Sequence, residues 1–190
     1  MIDRLQKFPE ISSNKYDLRE IKNIKELDAL LGSLIKDEHV LLHGTPDQID
    51  VHLEPRQAND DSRESGNQNA VYATNYPDRA VFHAIVNKSY LHTKFDDFIT
   101  GYSRYDADVL EFEFTKNVKD LIDAGDQEVF CDGYIHALRD ETFEHSEGDD
   151  SEFQSAKAVK PIFSLLISKD LGDDVKSRSR VYNPEEFKKN

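Results

Sequence analysis

The apolar residues of this chain arrive in short runs, and that feature limits its possible folds more than any other. Residues 40–42 and 162–167 are among its longest apolar clusters, far short of the roughly 18 consecutive apolar residues of a membrane-spanning helix. No membrane span is therefore expected. Short runs set off by turn-forming residues suit strands, and HVLLHG, NAVYATN, DVLEFEF, EVFCDGYIHAL and KPIFSLLISKD are the candidates. In DVLEFEF, Val109, Glu111 and Glu113 alternate with Leu110, Phe112 and Phe114, the period of two of a half-buried strand.

Two segments follow a different period. In NIKELDALLGSLIKDEH, Ile24, Leu27, Leu30, Leu31 and Leu34 form the stripe of an amphipathic helix. After NAVYATN, Pro77 suits a first helical turn, and Ala80, Val81, Ala84 and Ile85 fall on one side. NVKDLIDAG is long enough for a short helical turn. Strands interleaved with helices imply an α+β fold. At 190 residues a single domain is expected over 1–190, with an N-terminal helical segment at 1–38 and a polar, frayed tail from about 172 to 190. Only 37% of the residues are apolar, yet 11 Phe and 8 Tyr can fill its core. Residues 54–69 hold almost no apolar side chains, which predicts a long loop. The connector DETFEHSEGDDSEF also reads as a loop.

Composition excludes several classes of function. Cys131 is the only cysteine, so an internal disulfide and a zinc site of paired thiolates are both ruled out. A formal charge of −14 opposes unaided binding to a nucleic-acid backbone and favours solubility, or the sharper reading of a DNA-mimicking or partner-neutralising protein. MIDRLQKFPEISSNKYD lacks a basic start, an apolar core and a small-residue cleavage site, so a cytoplasmic location is expected. His39, His43, His52, His83, His92, His136 and His145 form no HxH or HExxH pattern, which leaves a metal-dependent hydrolase poorly supported and no metal expected.

Three segments carry candidate chemistry. LLHGT delivers His43 to a strand end, where Gly44 has no side chain to hold a ligand away from its backbone. Taken alone, such a His is as readily a satisfied structural residue. AVYATNYPDRAVFHAIV presents Tyr72, whose ring can stack on a flat heterocycle or simply pack in the core. SEFQSAKAVKPIFSLLI places Glu152 just before a short strand, where a carboxylate can stabilise positive charge on a sugar carbon, or can be ordinary solvated surface. Arg56 in HLEPR is either a phosphate contact or a solvated loop residue.

Together and in this order, the three segments resemble the His-Tyr-Glu class of ADP-ribosyltransferases, the superfamily of diphtheria toxin and the poly(ADP-ribose) polymerases. LLHGT is similar to the family's strand ending in His-Gly-Thr or His-Gly-Ser. AVYATNYPDRAVFHAIV is similar to its aromatic strand and following helix. Glu152-Phe153 with Val159-Lys160-Pro161 resembles the glutamate segment and closing strand of the polymerases. The match spans about residues 39–168 and leaves out the N-terminal helix.

The resemblance implies an ADP-ribosyltransferase-like fold of split mixed and antiparallel sheets with flanking helices, and NAD as substrate. His43 would then bond a ribose hydroxyl, the Gly44 backbone would hold the nicotinamide amide beside Thr45, Tyr72 would stack on the ring and Arg56 would meet phosphate. Glu152 would be the catalytic carboxylate, favouring an oxocarbenium-like transition state as nicotinamide leaves and an acceptor or water attacks. Glu128, Glu141, Glu144 and Glu147 are alternative carboxylates. The acceptor, protein or otherwise, is not specified, and a toxin or effector role is expected only in a microbial setting. The alternative function is a non-catalytic NAD-, nucleotide- or protein-binding module of the same fold.

Overall fold

The computed structural model of the chain describes residues 3–57, 68–106, 109–146 and 149–183. Its α-helices there are α1 (Ile24–Glu38), α2 (Pro77–Ile85), α3 (Lys88–Lys94), α4 (Lys116–Asp123) and α5 (Gly172–Ser177). The strands run in order β1 (Glu10–Ser12), β2 (Lys15–Asp17), β3 (Val40–Thr45), β4 (Arg56–Gln57), β5 (Asn69–Thr74) and β6 (Thr100–Asp106). They continue with β7 (Val109–Phe114), β8 (Gly133–Arg139), β9 (Glu144–Ser146), β10 (Asp149–Ser155), β11 (Phe163–Ile167) and β12 (Ser179–Val181). The fold is α+β with mixed parallel and antiparallel pairing. Backbone contacts divide it into two compact units, Met1–Ile85 with Asp132–Ser168 and Val86–Cys131 with Lys169–Asn190.

The first unit is built on a mixed sheet of order β1-β2-β11-β8-β3-β5-β10-β9, with β4 pairing β5 off that path. Its centre is anchored by β3 and β8, which stay in antiparallel register from Val40↔Arg139 to Thr45↔Tyr134. The next junction is different. Leu42↔Thr74 is the single registered pair between β3 and β5 among the described residues. Beyond Thr74, β5 is flanked by β10 and by β4 at Arg56↔Ala70. The sheet therefore has a seam between β3 and β5.

Helix α2 lies close against β3 and β8 because two glycines allow it. A Cβ added to Gly44 would sit 1.8 Å from the Ala80 carbonyl oxygen, and one added to Gly133 would sit 1.9 Å from that of Ala84. Ala80, Val81, Phe82, Ala84 and Ile85 are all buried beneath or beside this contact. Helix α1 begins at Asn23, whose side-chain oxygen accepts from the Lys25 amide at 2.8 Å, and ends at His39 with φ 51°. It buries Ile24, Leu27, Leu31 and Leu34, the expected stripe without Leu30. The opposite side of the sheet carries a second core of Leu41, Leu53, Val71, Ala73, Leu138 and Val159.

In the second unit β7 lies between β6 and β12, antiparallel to the first and parallel to the second. Phe112, Phe114, Val118, Ile122, Val129, Leu171 and Val175 are fully buried or nearly so.

Several expectations change. Among the described residues of 1–38 only α1 is α-helical, and residues 10–17 form a hairpin whose β2 joins β11 in parallel. The tail is not frayed throughout: residues 172–181 form α5 and β12, because Val175 is buried and Ser179–Val181 pair in register with β7. Residues 184–190 lie outside the described residues, as do 58–67 of the expected loop, although that loop's start forms β4. EVFCDGYIHAL is strand only from Gly133; Gln127–Val129 is a 3-10 turn. The acidic connector holds β9 and β10, so Glu152 lies within a strand rather than before one. Its few apolar residues hide this, since β10 is ordered by pairing with β5 and by buried Ser151 and Ser155.

Candidate functional site

Three of the residues singled out from sequence lie on adjacent strands beside the seam. β3 carries His43, β5 carries Tyr72 and β10 carries Glu152, and these strands are consecutive neighbours in the sheet. Glu152 is paired with Thr74, and Thr74 in turn with Leu42, so one row crosses all three strands. Tyr72 is paired with Gln154 one step along. Strand alternation puts Tyr72, Thr74, Glu152 and Gln154 on one face. His43, next to Leu42, falls on the other.

Its ring nevertheless reaches across the seam. His43 Nδ1 is 2.6 Å from the Tyr72 carbonyl oxygen. A carbonyl only accepts, so Nδ1 carries the proton and donates, which leaves Nε2 of the neutral ring as an acceptor. Burial is the main influence holding the imidazole below its ordinary value; the Tyr72 carbonyl opposes that shift and the charge of Arg56 adds to it. Arg56 itself is exposed on β4. Thr45 ends β3, and its hydroxyl oxygen accepts from the Asp47 amide at 3.2 Å. Gly44 does lack a side chain for a reason, but that side is filled by the Ala80 backbone rather than left open to a ligand.

The Tyr72 phenol turns back along its own strand. Its hydroxyl donates to the Gln68 carbonyl and accepts from the Gln68 amide, both at 3.1 Å. Thr74 donates to the Ser151 carbonyl at 2.7 Å and accepts from the Tyr76 amide at 3.0 Å, tying β5 to β10 and to the turn before α2. Around this row two acceptors, Gln154 Oε1 and Asn75 Oδ1, are buried without a hydrogen-bond partner among the described residues. Orphaned acceptors of this kind suit a ligand with N–H or O–H donors.

On the opposite face of β8, His136 is fully buried, its ring centroid 6.4 Å from that of His43 and 6.0 Å from that of Tyr134. Ser164 Oγ donates to His136 Nδ1 at 2.7 Å, and Nε2 points its hydrogen at the Asp47 carbonyl, 3.4 Å away. Burial, then the neighbouring His43, push the His136 imidazole down to about 4. The loop above is held by the Tyr134 hydroxyl on Gln48 at 3.0 Å and by Lys15 on Asp50.

The other carboxylates considered are placed apart. Glu144 is exposed on β9, opposite Gln154; Glu141 is exposed in the turn after β8; Glu128 belongs to the second unit; Glu147 lies outside the described residues. Among the described residues no cluster of three His, Cys, Asp or Glu side chains could hold a metal ion, and no helix is long and apolar enough to cross a membrane. A shallow cleft of about 410 Å³ lies at the ends of β2, β8 and β11, lined by Asp17, Arg19, Lys22, Asp132 and Ser168. Its Arg19 is already paired with Asp17 at 2.7 Å and Asp132 at 3.3 Å.

Sequence reasoning missed His136 and Gln154. Alternation in GYIHAL would have linked His136 to Tyr134, and a strand drawn through SEFQS would have put Gln154 on the Glu152 face. Scans against family models and searches of curated proteins and of solved structures return no match for this chain.

Proposed function

We propose that the first unit binds NAD at the β3/β5 seam in an ADP-ribosyltransferase-like split sheet, and that the chain catalyses ADP-ribosyl transfer or NAD cleavage. One observation carries this: His43, Tyr72 and Glu152, 29 and 80 residues apart (72 − 43; 152 − 72), lie on three successive strands, with His43 bonded to the backbone of Tyr72. The single β3/β5 pair supports the split sheet, and the sequence resemblance supports the assignment of roles.

The chain's own groups have clear tasks. His43 Nε2 accepts from a ribose hydroxyl, a role its neutral, Nδ1-protonated form suits. The Tyr72 ring supplies a flat apolar surface for nicotinamide, and the Thr45 hydroxyl can donate beside it. Arg56 faces phosphate. Glu152 stabilises positive charge at the ribose carbon as the carbon–nitrogen bond breaks, nicotinamide keeping the electron pair and an acceptor oxygen or nitrogen, or water, forming the new bond. The acceptor is a protein or another nucleophile.

The second reading is a module that binds without catalysis. It is favoured by strand alternation, which sets His43 on the face opposite Tyr72 and Glu152, and by the phenol's engagement with Gln68. Nicotinamide release from NAD, with NAD affinity measured alongside, separates the two. Catalysis predicts release lowered about 10²–10³-fold in Glu152→Gln, with affinity changed only a few-fold. Equal release by both proteins removes Glu152 from the chemistry; binding with no release by either favours the module; no binding removes NAD.

A further inference from the structure

We infer that Gln154 selects for a primary carboxamide on the ring that stacks at Tyr72, accepting a hydrogen bond from its N–H; this rests on the NAD reading of the same seam. Gln154 is the registered partner of Tyr72 across β5 and β10. Directly opposed residues of an antiparallel pair have Cβ atoms about 5 Å apart on the same face. A flat ring lying on the phenol therefore has an edge within reach of the Gln154 amide.

The amide is set up to receive a donor. Gln154 Oε1 is buried and has no hydrogen-bond partner among the described residues. Such an acceptor costs free energy in the empty protein, a cost withdrawn when a ligand N–H arrives. A carboxamide on a ring stacked at Tyr72 meets the Gln154 acceptor across the β5/β10 pair. Its carboxylate counterpart offers only acceptors, and two acceptors facing each other repel.

The test is calorimetric binding of NAD, ADP-ribose and the dinucleotide whose nicotinamide is replaced by nicotinic acid, to the full chain and to Gln154→Met, with melting temperatures of both proteins. Gln154→Met keeps the side chain's length and removes the acceptor. The expected result is NAD affinity about tenfold weaker in the variant, ADP-ribose affinity unchanged, and a melting temperature equal to or above that of the parent. The parent should also bind NAD about tenfold more tightly than the carboxylate analogue, a comparison that needs no variant, and Gln154→Met should lose the preference. Equal NAD affinity in both proteins, or no preference in the parent, overturns the role of Gln154 while leaving NAD binding intact. Equal loss of both ligands with a lower melting temperature assigns Gln154 to structure and also overturns it. If the parent binds no NAD, the reading of the seam fails and this inference falls with it.

Discussion

Replacing Gly44 by Ala should destabilise the protein strongly, and the geometry sets the scale. The new Cβ would lie 1.8 Å from the Ala80 carbonyl oxygen, 2.8 Å from its carbon and 2.9 Å from the Ala84 nitrogen. All three are backbone atoms, so no rotamer change relieves the clash. Restoring ordinary contact requires α2 and β3 to part by roughly 1.5 Å, which loosens packing around Ala80, Phe82 and Ala84, each at most 1% exposed. Overpacking of this kind costs about 1–3 kcal/mol, and rigid neighbours put it at or above the upper end, about 3 kcal/mol. For a chain of this size that is a fall in Tm of roughly 6–12 °C. The chain has no Trp, so urea unfolding followed by far-UV circular dichroism is the assay. Gly32→Ala is the control: its Cβ meets nothing within 4 Å inside α1, so it should stabilise by about 0.5–1 kcal/mol. A Gly44→Ala shift below about 1 kcal/mol would refute the close-approach account and reopen the space over Gly44 to a ligand.

Two further predictions concern stability. His136 has its folded value pushed down to about 4 against an ordinary 6.5, so the unfolded chain binds more protons between those limits. The contribution is complete above pH 6.5 and is lost as pH falls toward 4, on the order of 3 kcal/mol, with the lowered His43 acting in the same direction. Urea midpoints between pH 7.5 and 4.5 should flatten in His136→Gln; an unchanged slope would exclude His136 as the source. In the second unit, Arg180 Nε donates to Glu113 Oε1 at 2.9 Å, and Glu113 is 1% exposed. Arg180→Ala should cost about 3–5 kcal/mol, whereas Glu113→Leu with Arg180→Met should recover most of the loss. A neutral Arg180→Ala would show that the pair at β12 holds nothing in place.

How much was legible in the sequence differs from segment to segment. The stripe of α1 and the alternation of β7 were readable because each segment buries one face against whatever lies opposite, and the period of that burial is local. LLHGT and AVYAT were readable as strands for the same reason. β10 was not, since SEFQS has little apolar content and becomes a strand only because β5 offers it an edge. The tail failed similarly: SRV is a strand because β7 is there to pair with it, and nothing within SRSRVYN requires that.

The family resemblance also suggested that His43, Tyr72 and Glu152 belong together, but not what surrounds them. The seam, the neutral tautomer of His43, the orphaned Gln154 oxygen and the filled space over Gly44 all depend on which strand lies beside which. Local periods are written in the chain because backbone geometry repeats every 2 or 3.6 residues. Neighbours distant in sequence are chosen by the packing of whole faces, and only the assembled sheet decides them.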